Sequence, residues 1–157
     1  MIYLKYNSNR LGKYQVKDKA ELHQIISHIV YEIDPCANLN WLDVSNITNM
    51  NGIFYNTPFN GDISDWDVSH VENMQNMFDN CTEFTGENTD LSNWDVSKVK
   101  SMNAMFNVCA FNGIHNDLAN WDVSKVEYME NMFAYSPFNS DISKWDVSHV
   151  KYMDSMF

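Results

Sequence analysis

The chain has 157 residues, of which 45% are apolar and 14% aromatic, so it can bury the core of one ordinary domain. Its formal net charge is −11, and this negative field disfavours direct contact with nucleic acid or with an anionic membrane surface. The first residues, Met1–Asn7, lack a basic segment followed by a long apolar run. We therefore expect a cytoplasmic protein, or a cell-surface protein if an export signal has been removed.

Residues 1–39 predict an N-terminal cap made of a short strand and an amphipathic helix. The strand is expected at Tyr3–Tyr6. Asp18 and Glu21 have the spacing of a helix capping box, and Asp34-Pro35 is expected to end the helix. One face of this helix would be apolar. Its residues are Ala20, Leu22, Ile25, Ile26, Ile29, Val30 and Ile33. A cap of this kind would cover the open end of a repeat core.

Residues 40–157 consist of about five repeats, the last of which is incomplete. The tetrapeptide Trp-Asp-Val-Ser begins at Trp66, Trp94, Trp121 and Trp145, and a variant begins at Leu42. The aligned aspartates are 24, 28, 27 and 24 positions apart. A unit this short cannot bury its own apolar face and must stack on its neighbours. The sequence therefore predicts an α/β repeat solenoid.

Each repeat is predicted to contain one short parallel strand and one helical turn, as in leucine-rich-repeat coils. The alternation of Ile or Leu, Trp and Val favours the strand. A serine followed by apolar residues at helical intervals favours a capped helical turn, and two copies have capping-box spacing, Ser69…Glu72 and Ser124…Glu127. The Trp, Met and Phe residues fall in fixed columns with one residue of each column per repeat, which indicates core packing.

The repeat motif resembles the bacterial surface-protein repeat family, whose Trp-Asp-Val-Ser repeats of roughly 26 residues occur in mycoplasma lipoproteins and BspA-like leucine-rich-repeat proteins. The resemblance covers residues 38–157. It implies a leucine-rich-repeat-like solenoid used for adhesion or other protein binding, and it implies no catalytic residues.

Two columns of aspartate are the most conspicuous polar feature of the repeats. Their members are Asp43, Asp67, Asp95, Asp122 and Asp146 in one column, and Asp62, Asp90, Asp117 and Asp141 in the other. Carboxylates at turns accept backbone N–H bonds, and this is the favoured interpretation. A calcium ladder and an acidic mimic of nucleic acid are the alternatives. Cys81 and Cys109 share a column with Thr57 and Ser136, which indicates small ladder residues rather than catalytic thiols.

Two neighbouring repeats carry longer insertions before their second aspartate. Insertions in repeat proteins collect on one edge, which is often the binding edge, so these two should form one protrusion. The predicted partner-binding residues are Glu87, Asn88, Thr89, Ile114, His115 and Asn116. Tolerated drift in surface loops is the simpler alternative, and the sheet face is a rival binding surface.

The sequence thus predicts a non-catalytic protein-interaction module with no metal or cofactor. Its partner is expected to be a protein, and the acidic repeats would favour a basic one. The first alternative is an acidic inhibitor, of phage or mobile-element origin, that blocks the basic groove of a nucleic-acid enzyme. The second is a fragment of a surface adhesin. Self-association through an uncapped C-terminal coil would give a homo-oligomer.

Overall fold

The computed structural model describes residues 12–157, so the strand predicted at Tyr3–Tyr6 lies outside the described residues. Two short strands, β1 (Tyr14–Gln15) and β2 (Leu42–Asp43), pair in parallel, with Tyr14 opposite Leu42. Helix α1 (Lys19–Glu32) lies between them in the chain. A short 3₁₀ helix, η1, spans Leu118–Asn120.

Helix α1 begins and ends close to the predicted positions. The Asp18 side chain accepts a hydrogen bond from the Glu21 N–H at 2.9 Å, which confirms the predicted N-cap. The Glu21 carboxylate accepts from the Lys17 N–H at 2.6 Å, one residue ahead of the position that a capping box requires. Of the predicted apolar face, Ala20 and Ile33 are exposed, because one lies in the first turn and the other follows the last. The fully buried residues of the helix are Leu22, Ile26, Ile29 and Val30.

Successive repeats lie side by side in chain order. We number them by the aligned tetrapeptide as repeats 1 to 5, covering 42–65, 66–93, 94–120, 121–144 and 145–157. One residue of each repeat forms a parallel bridge with the equivalent residue of the next. The bridged residues are Asn49, Asn73, Ser101, Tyr128 and Tyr152. The cap shares the core of the repeats, because the buried side chains of α1 belong to the same apolar cluster.

The apolar columns form this core. From Trp41 to Phe133 every Trp, Met and Phe side chain is buried, which confirms the predicted core packing. Five phenylalanine rings, one per repeat, stack with centroids 5.3–5.8 Å apart. These rings belong to Phe54, Phe78, Phe106, Phe133 and Phe157. A second column, Phe59, Phe84, Phe111 and Phe138, stacks beside the first with spacings of 5.9–6.1 Å.

The segment after each bridge hydrogen-bonds to the following repeat through alternate N–H groups. In repeat 1 the N–H groups of Met50, Gly52, Phe54 and Asn56 donate to carbonyls of repeat 2 at 2.8–3.0 Å. Two positions of this segment adopt the left-handed backbone region in successive repeats. The first such column is Gly52, Asn76, Ala104, Asn131 and Ser155, and the second is Asn56, Asn80, Val108 and Tyr135. Neither column was predicted from the sequence.

The predicted capping boxes at Ser69…Glu72 and Ser124…Glu127 are wrong. The Glu72 N–H donates to the Thr48 carbonyl of the preceding repeat at 2.8 Å, so it is not available for a helical turn. The Glu72 carboxylate instead pairs with Lys100 of the next repeat at 2.7 Å. Within the described repeats, the regular elements are β2, η1 and the bridges. A strand and a helical turn in every repeat, and with them the α/β solenoid class, stay a prediction.

Candidate functional site

The two insertions, 85–89 of repeat 2 and 112–116 of repeat 3, contact one another. The buried amide of Asn116 accepts from the Leu91 N–H and donates to the Gly86 carbonyl at 3.0 Å. The second contact crosses directly from one insertion to the other. We call the pair the loop protrusion.

Thr89 and Asn116 hold the protrusion together from inside. Thr89 is buried, and its hydroxyl accepts from the Ile63 N–H at 3.2 Å. Asn116 is buried as well, and both ends of its amide are engaged with the backbone. These side chains are therefore not available to a partner, which corrects their place among the predicted contact residues. From sequence alone a polar loop residue is expected to be exposed, and only the tertiary contacts show that these side-chain oxygens accept hydrogen bonds from backbone N–H groups.

Gly86 fixes the first insertion against the core. Its φ is +82°, in the left-handed region that favours glycine. A Cβ at this position would lie 2.7 Å from the Phe111 ring and 2.9 Å from the Asn116 amide. The backbone of this insertion therefore approaches its neighbours as closely as a glycine allows.

The four other predicted residues, Glu87, Asn88, Ile114 and His115, are exposed on the protrusion. Ile114 is 75% exposed, so its aliphatic side chain is accessible to a partner. Its backbone is nevertheless held, because the Ile114 N–H donates to the Asn112 side chain at 2.8 Å. The Asn88 amide donates to the Asn60 carbonyl of repeat 1 at 2.7 Å.

An open cleft of about 380 Å³ lies beside the protrusion. Side chains on its walls come from three successive repeats. They include Ser92, Ile114, His115, Asp117, Ser140 and Asp141. The cleft thus combines one exposed aliphatic group with two carboxylates.

The two aspartate columns accept hydrogen bonds at turns. In the first column each carboxylate accepts the N–H of the serine two residues later at 3.0–3.1 Å. In the second column the equivalent distances are 2.8–3.0 Å. These bonds confirm the turn interpretation. The part of the chain that the structure describes holds no cluster of three or more His, Cys, Asp or Glu side chains placed to bind a metal ion.

In the first column, the hydrogen bonds favour the ionised form of three carboxylates. The hydroxyl and the backbone N–H of the following serine hold the pKa of Asp67, Asp95 and Asp122 below its usual range. Across residues 12–157, the ion pairs are Glu72–Lys100, Glu127–Lys151 and Lys17–Asp18. No member of either aspartate column takes part in one of these pairs, so no ion pair among the described residues neutralises these carboxylates.

The cysteines of the repeats are interior groups. Cys81 and Cys109 are buried, and the Cys81 thiol lies 3.9 Å from the Thr57 hydroxyl in the same column. Burial raises the pKa of the Cys81 thiol to about 11 and raises the pKa of Cys109 as well. Both thiols therefore stay protonated at neutral pH and lack the thiolate that nucleophilic chemistry needs.

A comparison with known protein families gives a match. A family described as "Mycoplasma protein of unknown function, DUF285" matches residues 21–113 and again residues 109–157. No curated protein and no solved structure matches the sequence. Within residues 12–157, no helix combines the length and the apolar character needed to span a bilayer.

Proposed function

The chain belongs to the DUF285 family, and we propose that it is a non-catalytic module that binds a partner protein through the loop protrusion. The finer resemblance, to the Trp-Asp-Val-Ser repeats of BspA-like leucine-rich-repeat proteins, is part of this proposal. One observation supports the proposed binding role. Ile114 is held out in solvent by a loop whose base is locked by the buried amide of Asn116.

Pre-organisation is the physical reason to read this loop as a binding element. An interface loses free energy when it must order a flexible loop, and a loop already fixed in place avoids that cost. The contacts of Asn116, Thr89 and Gly86 fix the backbone on the core side of the protrusion. The outer side chains are then presented to solvent in a defined arrangement.

The composition of the protrusion favours a mixed apolar and basic partner surface. Ile114 supplies an aliphatic anchor, and burying it would contribute about 1.5–3 kcal/mol. Glu87 on the protrusion and Asp117 and Asp141 in the adjoining cleft supply negative charge around it. A partner with an apolar pocket and neighbouring Lys or Arg residues would complement this surface.

Affinity capture tests the proposal. The tagged chain is incubated with an extract of its source cells at low and at moderate salt, and bound proteins are identified by mass spectrometry. The dissociation constant of the purified partner is then measured for wild type and for Ile114→Ser. We expect Ile114→Ser to weaken binding at least about tenfold, because burying this side chain contributes about 1.5–3 kcal/mol and about 1.4 kcal/mol corresponds to tenfold.

Tyr55→Ser is the matched control. Tyr55 is also a large exposed side chain, but it lies in repeat 1 and lines a cleft with Lys19 and His23 of the cap rather than with either insertion. Its substitution should leave the dissociation constant within about twofold. A partner that binds both variants as it binds wild type would show that the protrusion is not the binding surface.

An acidic inhibitor of a nucleic-acid enzyme is the second candidate, and a separate observation favours it. The aspartate columns repeat along the chain and take no part in the ion pairs described above. Such a surface could occupy a basic groove, with affinity that falls steeply as salt rises. Capture of a basic nucleic-acid enzyme that is released by moderate salt, and is indifferent to Ile114→Ser, would favour this candidate over the loop-centred module.

A further inference from the structure

The second left-handed column changes its chemistry halfway along the repeats. Its four members have φ values of +55°, +61°, +48° and +55°. The first two are Asn56 and Asn80, and asparagine tolerates this region because its side chain can bond locally. The next two are Val108 and Tyr135. A β-branched or bulky residue with this backbone is a true outlier.

Fold stability does not account for the Tyr135 side chain. The left-handed region costs an L-residue about 1–2 kcal/mol. Tyr135 recovers little of this by burial, because it is 88% exposed, whereas Val108 is 37% exposed and recovers more. Backbone strain that no local packing explains is characteristic of binding and switching sites.

Val108 and Tyr135 line a common groove of about 230 Å³. Thr82, Cys109 and Ala110 complete its walls, and the Cys109 side chain is buried beneath them. The groove thus joins repeats 2, 3 and 4 on one surface. We call it the Tyr135 groove.

The charged residues in the segments around this groove are all acidic. The segments that surround its lining residues, 79–83, 107–110 and 134–137, contain Asp79 and Glu83 but no Lys or Arg. One oxygen of the Asp79 carboxylate accepts from the Asn107 amide at 2.8 Å. All five lysines of the repeats fall elsewhere in their repeats, at Lys98, Lys100, Lys125, Lys144 and Lys151. An apolar groove with acidic flanks complements an apolar side chain with basic neighbours.

We propose that the Tyr135 groove binds a segment of a partner protein in which an aromatic or aliphatic residue lies next to Lys or Arg. This inference rests on the proposed role in protein binding, but it places a contact at a surface separate from the loop protrusion. Tyr135 packs against the apolar residue of the segment, and the carboxylates of Asp79 and Glu83 attract its basic residues.

Selection from a random-peptide phage display library against the immobilised full chain tests this inference. We expect recovered peptides to share an apolar residue flanked by Lys or Arg. A synthetic copy of one recovered peptide should bind Tyr135→Asn at least about tenfold more weakly than wild type, since interface tyrosines often dominate binding. Asparagine relieves the backbone strain, so this variant loses binding while remaining folded.

Two further variants separate loss of the ring from other effects. Tyr135→Ala removes the ring and keeps the backbone strain, and it should lose binding to the same extent. Ala104→Asn changes the other left-handed column, where Asn76 and Asn131 are the equivalents, and should bind like wild type. Equal affinity of wild type and Tyr135→Asn, recovery of acidic peptides, or recovery of none would overturn the inference.

Sedimentation analysis addresses a second copy of the chain as the occupant. A dimer that Tyr135→Asn dissociates would show that the groove binds itself, and would overturn the proposed partner segment. The role of the loop protrusion is tested independently, by measuring how Ile114→Ser affects binding of the captured partner. If no peptide binds the groove but Ile114→Ser still weakens binding of the captured partner, the inference about the groove is wrong and the proposed function stands.

Discussion

Replacing Tyr135 by asparagine should stabilise the fold relative to replacing it by alanine. Both substitutions remove the same ring, so both lose the same buried area. The ring is 88% exposed, and the remaining 12% of a tyrosine surface is about 20–30 Å², or roughly 0.5–0.7 kcal/mol. Alanine keeps the left-handed strain of about 1–2 kcal/mol, whereas asparagine relieves much of it.

We therefore expect Tyr135→Asn to exceed Tyr135→Ala by about 1 kcal/mol in the free energy of unfolding. For a chain of this length, that difference corresponds to about 2–4 °C in Tm. Chemical denaturation followed by tryptophan fluorescence and thermal denaturation followed by circular dichroism measure it. Equal stability of the two variants, or a less stable asparagine variant, would refute the argument that this column is strained.

Three other predictions concern the protrusion, the aspartate turns and the cysteines. Asn116→Ala should lower the free energy of unfolding by about 1–3 kcal/mol, because it leaves two backbone groups unpaired; exposed Asn88→Ala should cost less than half as much in the same denaturation experiment. Because hydrogen bonds lower the pKa of carboxylates such as Asp122, their stabilising effect is present above the unfolded pKa and is lost as pH falls through the folded pKa; Tm should therefore drop in acid, and less steeply in Ser124→Ala. Of the three thiols, only Cys36 should react with a thiol reagent in the native protein, whereas all three should react in denaturant. Mass spectrometry counts the labelled thiols, and labelling of all three in the native protein would contradict the buried positions.

The N-terminal helix and the repeat core were predictable because each depends on a regular spacing in the sequence. Helix α1 follows from an N-cap aspartate and apolar residues at helical intervals. The buried columns follow from Trp, Met and Phe recurring in every repeat, since a short unit buries these residues only by stacking. In both cases the local pattern and the final environment agree.

The predicted capping boxes were wrong because a hydrogen bond between repeats competes with the local helix-start pattern. Ser69 and Glu72 have the spacing of a helix start, yet the Glu72 N–H pairs with Thr48 of the preceding repeat. The sequence holds no direct sign of this competition, because the two residues are far apart in the chain. A weak sign of the left-handed columns was present, since Gly52, Asn56, Asn76, Asn80 and Asn131 recur at equivalent positions.

By itself, the sequence determined the helix, the repeat period, the residues of the core and the acidity of the repeats, because these depend on spacing and composition. The tertiary structure decided which loop residues are exposed and therefore accessible to a partner. It buries Thr89 and Asn116 as hydrogen-bond partners of the backbone and leaves Ile114 and Tyr135 in solvent. The physical reason is that a polar side chain is buried wherever a neighbouring repeat presents an unpaired backbone group, and that neighbour is defined only once the repeats are packed.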